Sequence, residues 1–552
     1  MNISLYLLDK FWEKQKFNIV LLCILSLILS FVYSNISSII NANIITSIQK
    51  HDFINTVLNY KYFIGISVLF VSVFYIYKII QNGVLTFLSN WTKSELFELV
   101  LKSNNENMRN VNFIEFITPI TRISNSCTML LNDVITNIFP TLGFLVVILI
   151  YFLYKDLYLG LGFLIGNILI FLYLLYFWKD MFEYKQKQEK MAVDNERYIL
   201  DVLNNIDKVI YRGEVNKETL LFGDKTDDCT NFTVGLMTYI TNHVFIMNIA
   251  TFVVLFGSLW YMIRLQRAKQ LDNVTFITFL SILFMYRDNL LGTIQNIPYN
   301  IESAGRVDLI VREFNNMVGS EFEIKTDTDS YSKEELPFDK LTFENVSFKY
   351  DKTDTYVFEN YNKEVILSDK IIGITGTSGK GKSSFVKLLM RLHEANSGNI
   401  LIDGVNIKTI DPYYIRQNIT YVNQNSRLFD RKVIENIYYG CKDKSKCEEN
   451  LREVLSYPKI QELYKNVDIV NANAGPLGEN LSGGQRQVIN IISGLINPTK
   501  ILILDEPTNA LDRDLKMEVI KLLQNSKKYK KTVIIITHDR DVYNMFDETL
   551  EI

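Results

Sequence analysis

Cysteine and net charge are the two quantities that this 552-residue chain has little of. Its five cysteines form no C-x-x-C pair, so we expect neither structural zinc nor a disulfide framework; they are Cys23, Cys127, Cys229, Cys441 and Cys447. The 58 basic and 61 acidic side chains leave a formal net charge of -3. That balance gives no reason to expect a nucleic-acid partner.

Charge is absent altogether from residues 17–49, a run long enough to enter a bilayer core about 30 Å thick. Comparable apolar runs follow, and a buried core helix is the weaker explanation because it usually holds only about 10 to 14 apolar residues. We therefore predict an all-α transmembrane domain over residues 1–316, in contact with the lipid bilayer. Its six spans are placed at about 17–48, 62–92, 134–154, 157–178, 236–263 and 273–300.

The distribution of Lys and Arg predicts the orientation of these spans. With a cytoplasmic N-terminus, the inner segments hold 16 Lys and Arg and the outer loops hold 6. The first run follows Lys10, Lys14 and Lys16 as in a signal peptide, but it is long and lacks a small-residue cleavage site, so we interpret it as an uncleaved span. An even number of spans returns the C-terminal part to the cytoplasm. We expect a multi-pass protein of the cell (inner) membrane.

The composition changes after residue 316. Residues 317–337 are polar and are predicted to be a linker. Beyond them, a domain over 338–552 alternates short runs of Ile, Val and Leu with helical patterns, which indicates an α/β fold. Strands buried on both faces of a parallel sheet are predicted at IIGITG (371–376), ITYVNQ (419–424), ILILDE (501–506) and TVIIITHD (532–539).

A phosphate-binding loop follows the first of these strands. GTSGKGKS matches G-x-x-x-x-G-K-S between a strand and a helix, where backbone N–H groups and the helix N-terminus face an anion. Lys382 is expected to reach the β- and γ-phosphates, and Ser383 to hold Mg²⁺. The predicted ATP contacts here are Gly376, Thr377, Ser378, Gly379, Lys380, Gly381, Lys382, Ser383 and Ser384.

Two carboxylates end the ILILDE strand. We expect Asp505 to hold Mg²⁺ and Glu506 to accept a proton from an attacking water. A single acidic residue capping a loop is the simpler explanation, but it accounts for one carboxylate better than for two. His538 follows the last strand and could contact the γ-phosphate, although a lone histidine at a strand end is more often structural.

The segment LSGGQ (481–485) predicts a second anion site at a helix start. Its candidate ATP contacts are Ser482, Gly483, Gly484 and Gln485. One triphosphate is already held by the first loop, so two phosphate sites in one domain indicate two nucleotides. Head-to-tail pairing of two such domains would use both sites.

Taken together, these motifs resemble an ATP-binding cassette (ABC) half-transporter of the exporter type, with six spans ahead of a nucleotide-binding domain. The resemblance covers essentially the whole chain, including residues 196–222, which are similar to a cytoplasmic loop of that family. It implies that Gln424 senses Mg²⁺, that Tyr350 stacks on adenine and that His538 is a switch histidine. It also implies that Asp512 lies in a loop that crosses a dimer interface.

The chain departs from the family pattern at two positions. GPLG (475–478) has Pro476 where exporters usually carry a glutamate thought to couple the domains, and Asn509 replaces the commoner serine. No catalytic group is missing. The resemblance therefore implies a dimer with a second half-transporter, either a homodimer or a heterodimer.

Three classes of function fit these observations. The first is ATP-driven export or flipping of a small amphipathic substrate (a lipid, a peptide or a drug-like molecule), by alternating access coupled to ATP hydrolysis with ATP and Mg²⁺ as cofactors. The second is an importer built on the exporter fold, as in siderophore uptake. A non-transporting ATPase of the same superfamily is disfavoured by six spans.

Arg287 and Asp288 lie deep in the sixth span, where they either line a wet cavity or pair with each other or with a neighbouring helix.

Overall fold

A computed structural model describes residues 3–32, 36–103, 114–318, 335–350, 353–377, 379–425, 427–528 and 532–552. Ser378 and residues 319–334 of the predicted linker lie outside these ranges. The chain divides into two compact units. The first contains Met1–Val100 and Val111–Phe322, and the second contains Leu101–Asn110 and Glu323–Ile552.

The first unit is helical, and six of its helical segments are long and apolar enough to cross a membrane, as predicted. The chain is therefore a multi-pass membrane protein. Its helices are α1 (Ile3–Phe31), α2 (Ser37–Gln49), α3 (Phe53–Ser103), α4 (Ile114–Asp133), α5 (Phe139–Lys155), α6 (Leu157–Asn204), α7 (Ile206–Tyr211), α8 (Val215–Arg267) and α9 (Asn273–Val318). A π-helical turn, Val134–Ile138, joins α4 to α5.

Aromatic side chains from α5, α6 and α9 form the core of this unit. Phe152 meets Phe279 edge to face at 4.9 Å between ring centroids, and Phe163 meets Tyr286 at the same distance. The Tyr286 hydroxyl donates to Oδ1 of Asn167 at 3.1 Å, which satisfies a buried polar group. This core leaves one face of α9 on the surface of the unit.

The second unit is an α/β domain with two sheets. A parallel sheet has the strand order β6-β7-β8-β3-β9, and an antiparallel sheet has the order β2-β1-β4-β5. The strands are β1 (Lys340–Phe348), β2 (Phe358–Ile366), β3 (Ile371–Thr375), β4 (Ser397–Ile402), β5 (Val405–Asn406), β6 (Ile419–Val422), β7 (Ile501–Asp505), β8 (Thr532–Ile536) and β9 (Glu548–Glu551). The helices are α10 (Lys382–Leu389), α11 (Pro412–Asn418), α12 (Val433–Ile437), α13 (Lys444–Leu455), α14 (Pro458–Leu463), α15 (Gly483–Ile496) and α16 (Arg513–Gln524).

All four predicted strands are present in the parallel sheet as β3, β6, β7 and β8. Every residue of β7 and β8 is buried, which agrees with their unbroken apolar sequence. The carboxyl ends of these parallel strands lie at one edge of the sheet, and the predicted catalytic side chains follow them directly.

The expectation of no disulfide was wrong, because Cys441 and Cys447 are joined by one. A turn at Gly440, whose φ is +85°, precedes Cys441, and Asp443 then caps the start of α13 by accepting a hydrogen bond from the Lys446 N–H. This path brings the two Cα atoms to 6.6 Å. Cys441 and Cys447 are six positions apart and do not match the C-x-x-C pattern, so that pattern gave no sign of the disulfide.

Candidate nucleotide-binding site

The loop between β3 and α10 has a backbone that requires glycine. Gly376, Gly379 and Gly381 have φ values of +147°, +84° and +106°, which side-chain-bearing L-residues rarely adopt. A Cβ at Gly376 would also overlap the main-chain oxygen of Ile552. The glycines therefore allow the chain to turn tightly into α10, whose N-terminal N–H groups face the loop.

Lys382 lies inside this loop and is only 9% exposed. Its Nζ donates to the carbonyl oxygens of Gly376 at 2.8 Å and Thr377 at 3.3 Å, and lies 2.9 Å from Nε2 of His538. An ammonium group only donates, so Lys382 is the donor in its contact with Nε2 of His538. The loop thus holds a buried positive charge at the point where phosphates are expected.

Glu506 lies directly after β7 and is buried, with a left-handed backbone φ of +48°. Its main-chain N–H donates to the carbonyl oxygen of Ile536 at 2.8 Å, which ties it to the end of β8. Oε1 of Glu506 lies 3.8 Å from Nε2 of His538. The structure therefore brings three predicted residues together, namely Lys382, Glu506 and His538.

Thr537 is a residue of this site that the sequence reasoning missed. Its hydroxyl accepts a hydrogen bond from the Asp539 N–H at 3.0 Å and donates to Oε2 of Glu506 at 3.2 Å. Because the hydroxyl has one hydrogen and already accepts from Asp539, its proton is directed at the carboxylate. The only signal in the sequence was its position beside His538 at a strand end.

Tyr421 in β6 is a second residue of the site that the sequence did not predict, and its partner is Asp505. The Tyr421 hydroxyl donates to Oδ2 of Asp505 at 2.9 Å. Burial raises the pKa of Asp505 and the nearby charge of Glu506 adds to this, while Tyr421 and Lys382 oppose it. Burial, and then the Asp505 carboxylate, raise the pKa of Tyr421. In the β6–β7 register Tyr421 pairs with Ile503, two residues before Asp505 and thus on the same face.

Asp539 joins two loops at the edge of this site. Its Oδ2 accepts from the Thr508 hydroxyl at 2.9 Å and pairs with Nζ of Lys516 at 2.6 Å. Burial acts to raise the pKa of Asp539, but the hydrogen bonds from Lys516 and Thr508 bring it below its usual range. The loop after β7 and the loop after β8 are therefore linked through one carboxylate.

Tyr350 lies next to the phosphate loop. Its hydroxyl is 2.8 Å from Oγ of Ser384, and its ring meets that of His393 edge to face at 5.3 Å. The ammonium group of Lys387 lies 5.6 Å from the same ring centroid. The aromatic side chain is thus held beside α10 by a hydrogen bond and by packing.

The LSGGQ segment begins helix α15, as predicted. Oγ of Ser482 accepts from the Gln485 N–H at 3.2 Å, and Oε1 of Gln485 accepts from the Ser482 N–H at 2.9 Å, which is a capping box. The first main-chain bond of the helix joins the Arg486 N–H to the Ser482 carbonyl. Within the described residues, these side chains contact their own helix and the segment at Leu463, not the phosphate loop.

Gln424 is exposed and borders a cleft of about 730 Å³ in the same unit. The cleft is also lined by Pro476, Gly483, Arg486 and Asn509. Gln424 therefore lies close to the start of α15 and to the GPLG segment. Asp512, by contrast, caps its own helix α16 through the Leu515 N–H at 2.9 Å.

Arg486 holds the GPLG segment in place. Its guanidinium donates to the carbonyl oxygens of Gly478 at 3.2 Å and Leu481 at 2.7 Å. Gly475 and Leu477 both have positive φ values, +75° and +55°. The segment thus forms a tight turn that is fixed from the first turn of α15.

The oxygen groups present suit Mg²⁺. No group of three or more His, Cys, Asp or Glu side chains that could hold a metal occurs within the ranges that the structure describes. Mg²⁺ does not need one, because it commonly binds one or two carboxylates together with substrate phosphates and water. Asp505 would supply the carboxylate and Ser383 a hydroxyl, which is exposed at the start of α10.

The fold and this site together comprise six helical segments long enough to span a membrane, followed by an α/β domain with a phosphate loop, an acidic strand end and the LSGGQ segment at the start of α15. Residues 364–509 match the family model described as ABC transporter. This segment of the second unit is therefore similar to ABC transporters, which indicates a nucleotide-binding domain.

Similar proteins extend this result to the whole chain only at the level of the fold. A solved structure of a bacterial Atm1-family ABC exporter with ATP bound has a TM-score of 0.82 at 19% identity, over 98% of this chain and 93% of that one. The chain thus has the fold of an ABC exporter half-transporter.

Curated relatives match a shorter part. The ATP-dependent lipid A-core flippase of Haemophilus influenzae is 33% identical over 232 residues, 42% of this chain and 39% of that protein. ABC transporter B family member 26, chloroplastic, of Arabidopsis thaliana is 38% identical over 204 residues, 36% of this chain and 28% of that protein. The matched region spans about two fifths or less of these relatives.

Proposed function

We propose that this protein is an ATP-driven transporter that exports or flips an amphipathic substrate across the cell membrane. The observation that carries the proposal is the meeting of Lys382, Glu506 and His538 at the carboxyl edge of the parallel sheet, in a chain with six membrane-spanning helices. These are the groups needed to bind a triphosphate and to activate a water. The similar proteins include a relative named as a flippase and a solved structure named as an exporter, which supports transport in the outward direction.

Hydrolysis is assigned to the carboxylate of Glu506. Thr537 holds one of its oxygens, and the other oxygen faces His538. Because the carboxylate is buried and oriented, it can accept a proton from a water placed between it and the γ-phosphate. Lys382 exchanges its carbonyl partners for phosphate oxygens when ATP binds, and His538 is then released to contact the γ-phosphate.

Asp505, Ser383 and Gln424 are the residues that would hold Mg²⁺, whose charge offsets that of the phosphates. Tyr421 contributes by fixing one oxygen of the Asp505 carboxylate. The remaining oxygen is then presented in one orientation. Tyr350 would stack on adenine, which requires its ring to stay beside α10 as it does here.

We further propose that two copies of the chain form a homodimer with two shared ATP sites, a heterodimer being the second possibility. Ser482 and Gly483 are exposed at the start of α15 and make their described contacts within their own segment. An anion-binding helix start on the surface suits a nucleotide held mainly by another chain. Closure of the two ATPase domains on ATP would favour one state of the membrane helices, and hydrolysis would reset it.

Transport can be tested with the full chain reconstituted in liposomes, with the ATPase domain facing outward. Export then appears as ATP-dependent accumulation of an amphipathic fluorescent probe in the lumen. An importer would instead cause ATP-dependent loss of a probe preloaded in the lumen. That result would overturn the proposed direction of transport. Glu506→Gln should abolish either signal, while the matched variant Glu364→Gln, on the exposed strand β2, should not.

A further inference from the structure

One face of α9 points away from the core of the first unit and carries polar side chains. The exposed positions follow helical spacing, whereas Phe279, Leu283, Tyr286 and Leu290 face the core. Arg287 lies at the edge of the exposed face. The exposed residues are Phe284, Asp288, Gly292, Gln295 and Tyr299.

This face differs from the exposed faces of the neighbouring spans. The exposed residues of segment 161–175 in α6 are all apolar, as at Ile165 and Leu169. The same holds for segment 245–260 in α8, as at Val253 and Phe256. A charged side chain that faces lipid at this depth is costly, so such residues almost always face a water-filled cavity or the inside of a bundle. We infer that the face of α9 borders water.

Asp288 is the most accessible charge on this face. It lies about 22 Å from the start of α9 at roughly 1.5 Å per residue, and its side chain is 64% exposed, against 35% for Arg287. Nε and Nη2 of Arg287 both approach the same oxygen, Oδ1, at 2.8 Å. Oδ2 makes no hydrogen bond to any residue that the structure describes.

The surroundings favour a positively charged ligand over a negative one. The Arg287 guanidinium is occupied by Asp288 and lies 5.4 Å from the ring centroid of Phe284. Of the five exposed residues named above, Asp288 is the acidic one, and its Oδ2 has no hydrogen-bond partner among the described residues. Phe284 and Tyr299 add aromatic rings, which also attract cations.

We propose that Asp288 is a binding residue for a lipophilic cation on the transport pathway. The proposal rests on the proposed transport function and names the class of substrate: an amphipathic molecule with a positive charge. The cation is held by Oδ2 of Asp288 and its apolar part lies against Phe284 and Tyr299. Arg287 orients the carboxylate through Oδ1 when no ligand is bound.

The test uses two ions of the same size and opposite charge, tetraphenylphosphonium and tetraphenylborate. The full chain is placed in lipid nanodiscs, and binding of each radiolabelled ion is measured without ATP. Tetraphenylphosphonium should bind, and Asp288→Asn should weaken its binding by about tenfold or more because a charge partner is lost. Asp288→Glu should retain most of the affinity, and Arg287→Gln should retain binding.

Three outcomes would overturn the proposal. These are equal affinity of Asp288→Asn and the unaltered protein for the cation, tighter binding of tetraphenylborate that depends on Arg287, and absence of cation binding. An Asp288→Cys chain that crosslinks to a second copy regardless of the cation would also overturn it, because the face would then be an interface. Retained binding of the cation by Asp288→Glu and Arg287→Gln shows that substitution at these positions of α9 leaves the first unit folded.

Failure of this proposal is separable from failure of the transport function. Binding is measured without turnover, so loss of cation binding leaves the basal ATPase activity and its dependence on Glu506 unchanged. If the protein instead lacks ATPase activity while the cation still binds through Asp288, the proposed transport cycle fails and the binding site stands.

Discussion

The hydroxyl of Thr537 donates a hydrogen bond of 3.2 Å to Oε2 of Glu506, and both side chains are buried. The same hydroxyl accepts from the Asp539 N–H, so its direction is set by the backbone. The proposed general base is therefore oriented by the strand that carries His538. The orientation of Glu506 is thus set by Thr537 and the Asp539 N–H, and not by the residues that are proposed to bind the nucleotide.

Replacement of Thr537 by Val should lower kcat by about fivefold, since one net hydrogen bond is worth about 1 kcal/mol. The KM for ATP should change little, because Thr537 makes no predicted contact with phosphate. Thr537→Ser keeps the hydroxyl and should restore most of the turnover. Steady-state ATPase kinetics measure both constants. A Ser variant as slow as the Val variant would show that the methyl packing, not the hydrogen bond, is what matters.

Glu506→Gln should retain ATP binding and lower turnover by about 10² to 10⁴, the usual contribution of a general base. The amide cannot accept the proton of the water, so the protein should accumulate in an ATP-bound closed dimer. Equilibrium binding of labelled ATP and size-exclusion chromatography measure these two effects. Unchanged turnover would remove Glu506 from the mechanism. Glu364→Gln serves as the control because its side chain is exposed on β2 and pairs with Lys340.

Tyr421→Phe should weaken the apparent affinity for Mg²⁺ by about tenfold, as expected when the partner of a metal-binding group is removed. The Asp505 carboxylate then loses the hydrogen bond that fixes one of its oxygens. ATPase activity is measured against free Mg²⁺, and ATP binding in EDTA should not change. Tyr361→Phe is the matched control, since Tyr361 packs on Phe343 and Phe358 away from Asp505. An equal effect of both variants would indicate a general loss of stability.

Chains with Ser482→Arg and chains with Lys382→Ala should each be nearly inactive alone. If the ATP sites are shared between chains, the mixed dimer has one site with both lesions and one site with neither. It should then regain measurable ATPase activity. Both variants are purified separately, mixed and reconstituted, and activity is compared with that of each alone.

Strict cooperativity between the two sites would make the mixed dimer inactive as well. The proximity of the phosphate loop of one chain to Ser482 of the other is therefore tested separately. Cysteines placed at Lys380 and Ser482 should crosslink between chains in the presence of ATP. A crosslink that forms within single chains would contradict the shared-site arrangement.

The phosphate loop and the parallel strands could be predicted because their signals are local. Glycines at Gly376 and Gly381 and the unbroken apolar runs of β7 and β8 each constrain the backbone within a few residues. The placement of Lys382 beside His538 followed from two motifs at the same sheet edge.

The partners of the two carboxylates could not be predicted in the same way. Tyr421 reaches Asp505, and Thr537 reaches Glu506, across strands far apart in the sequence, and the register of those strands is set by tertiary packing. The antiparallel sheet was also missed. The segment that enters its strand β1 is held by Asp403, whose carboxylate accepts hydrogen bonds from the main-chain N–H groups of Phe338 and Lys340. Because Phe338 and Asp403 are 65 residues apart in the sequence, their contact leaves no local sequence pattern.

Arg486 has a mechanical consequence for the turn that contains Pro476. Because its guanidinium binds the carbonyls of Gly478 and Leu481, the turn is tied to the first turn of α15. Leu477, 62% exposed, lies at one end of this segment and Ser482 at the other. A displacement of the Leu477 side chain is therefore expected to reach Ser482 through the two hydrogen bonds of Arg486, without a carboxylate at position 476.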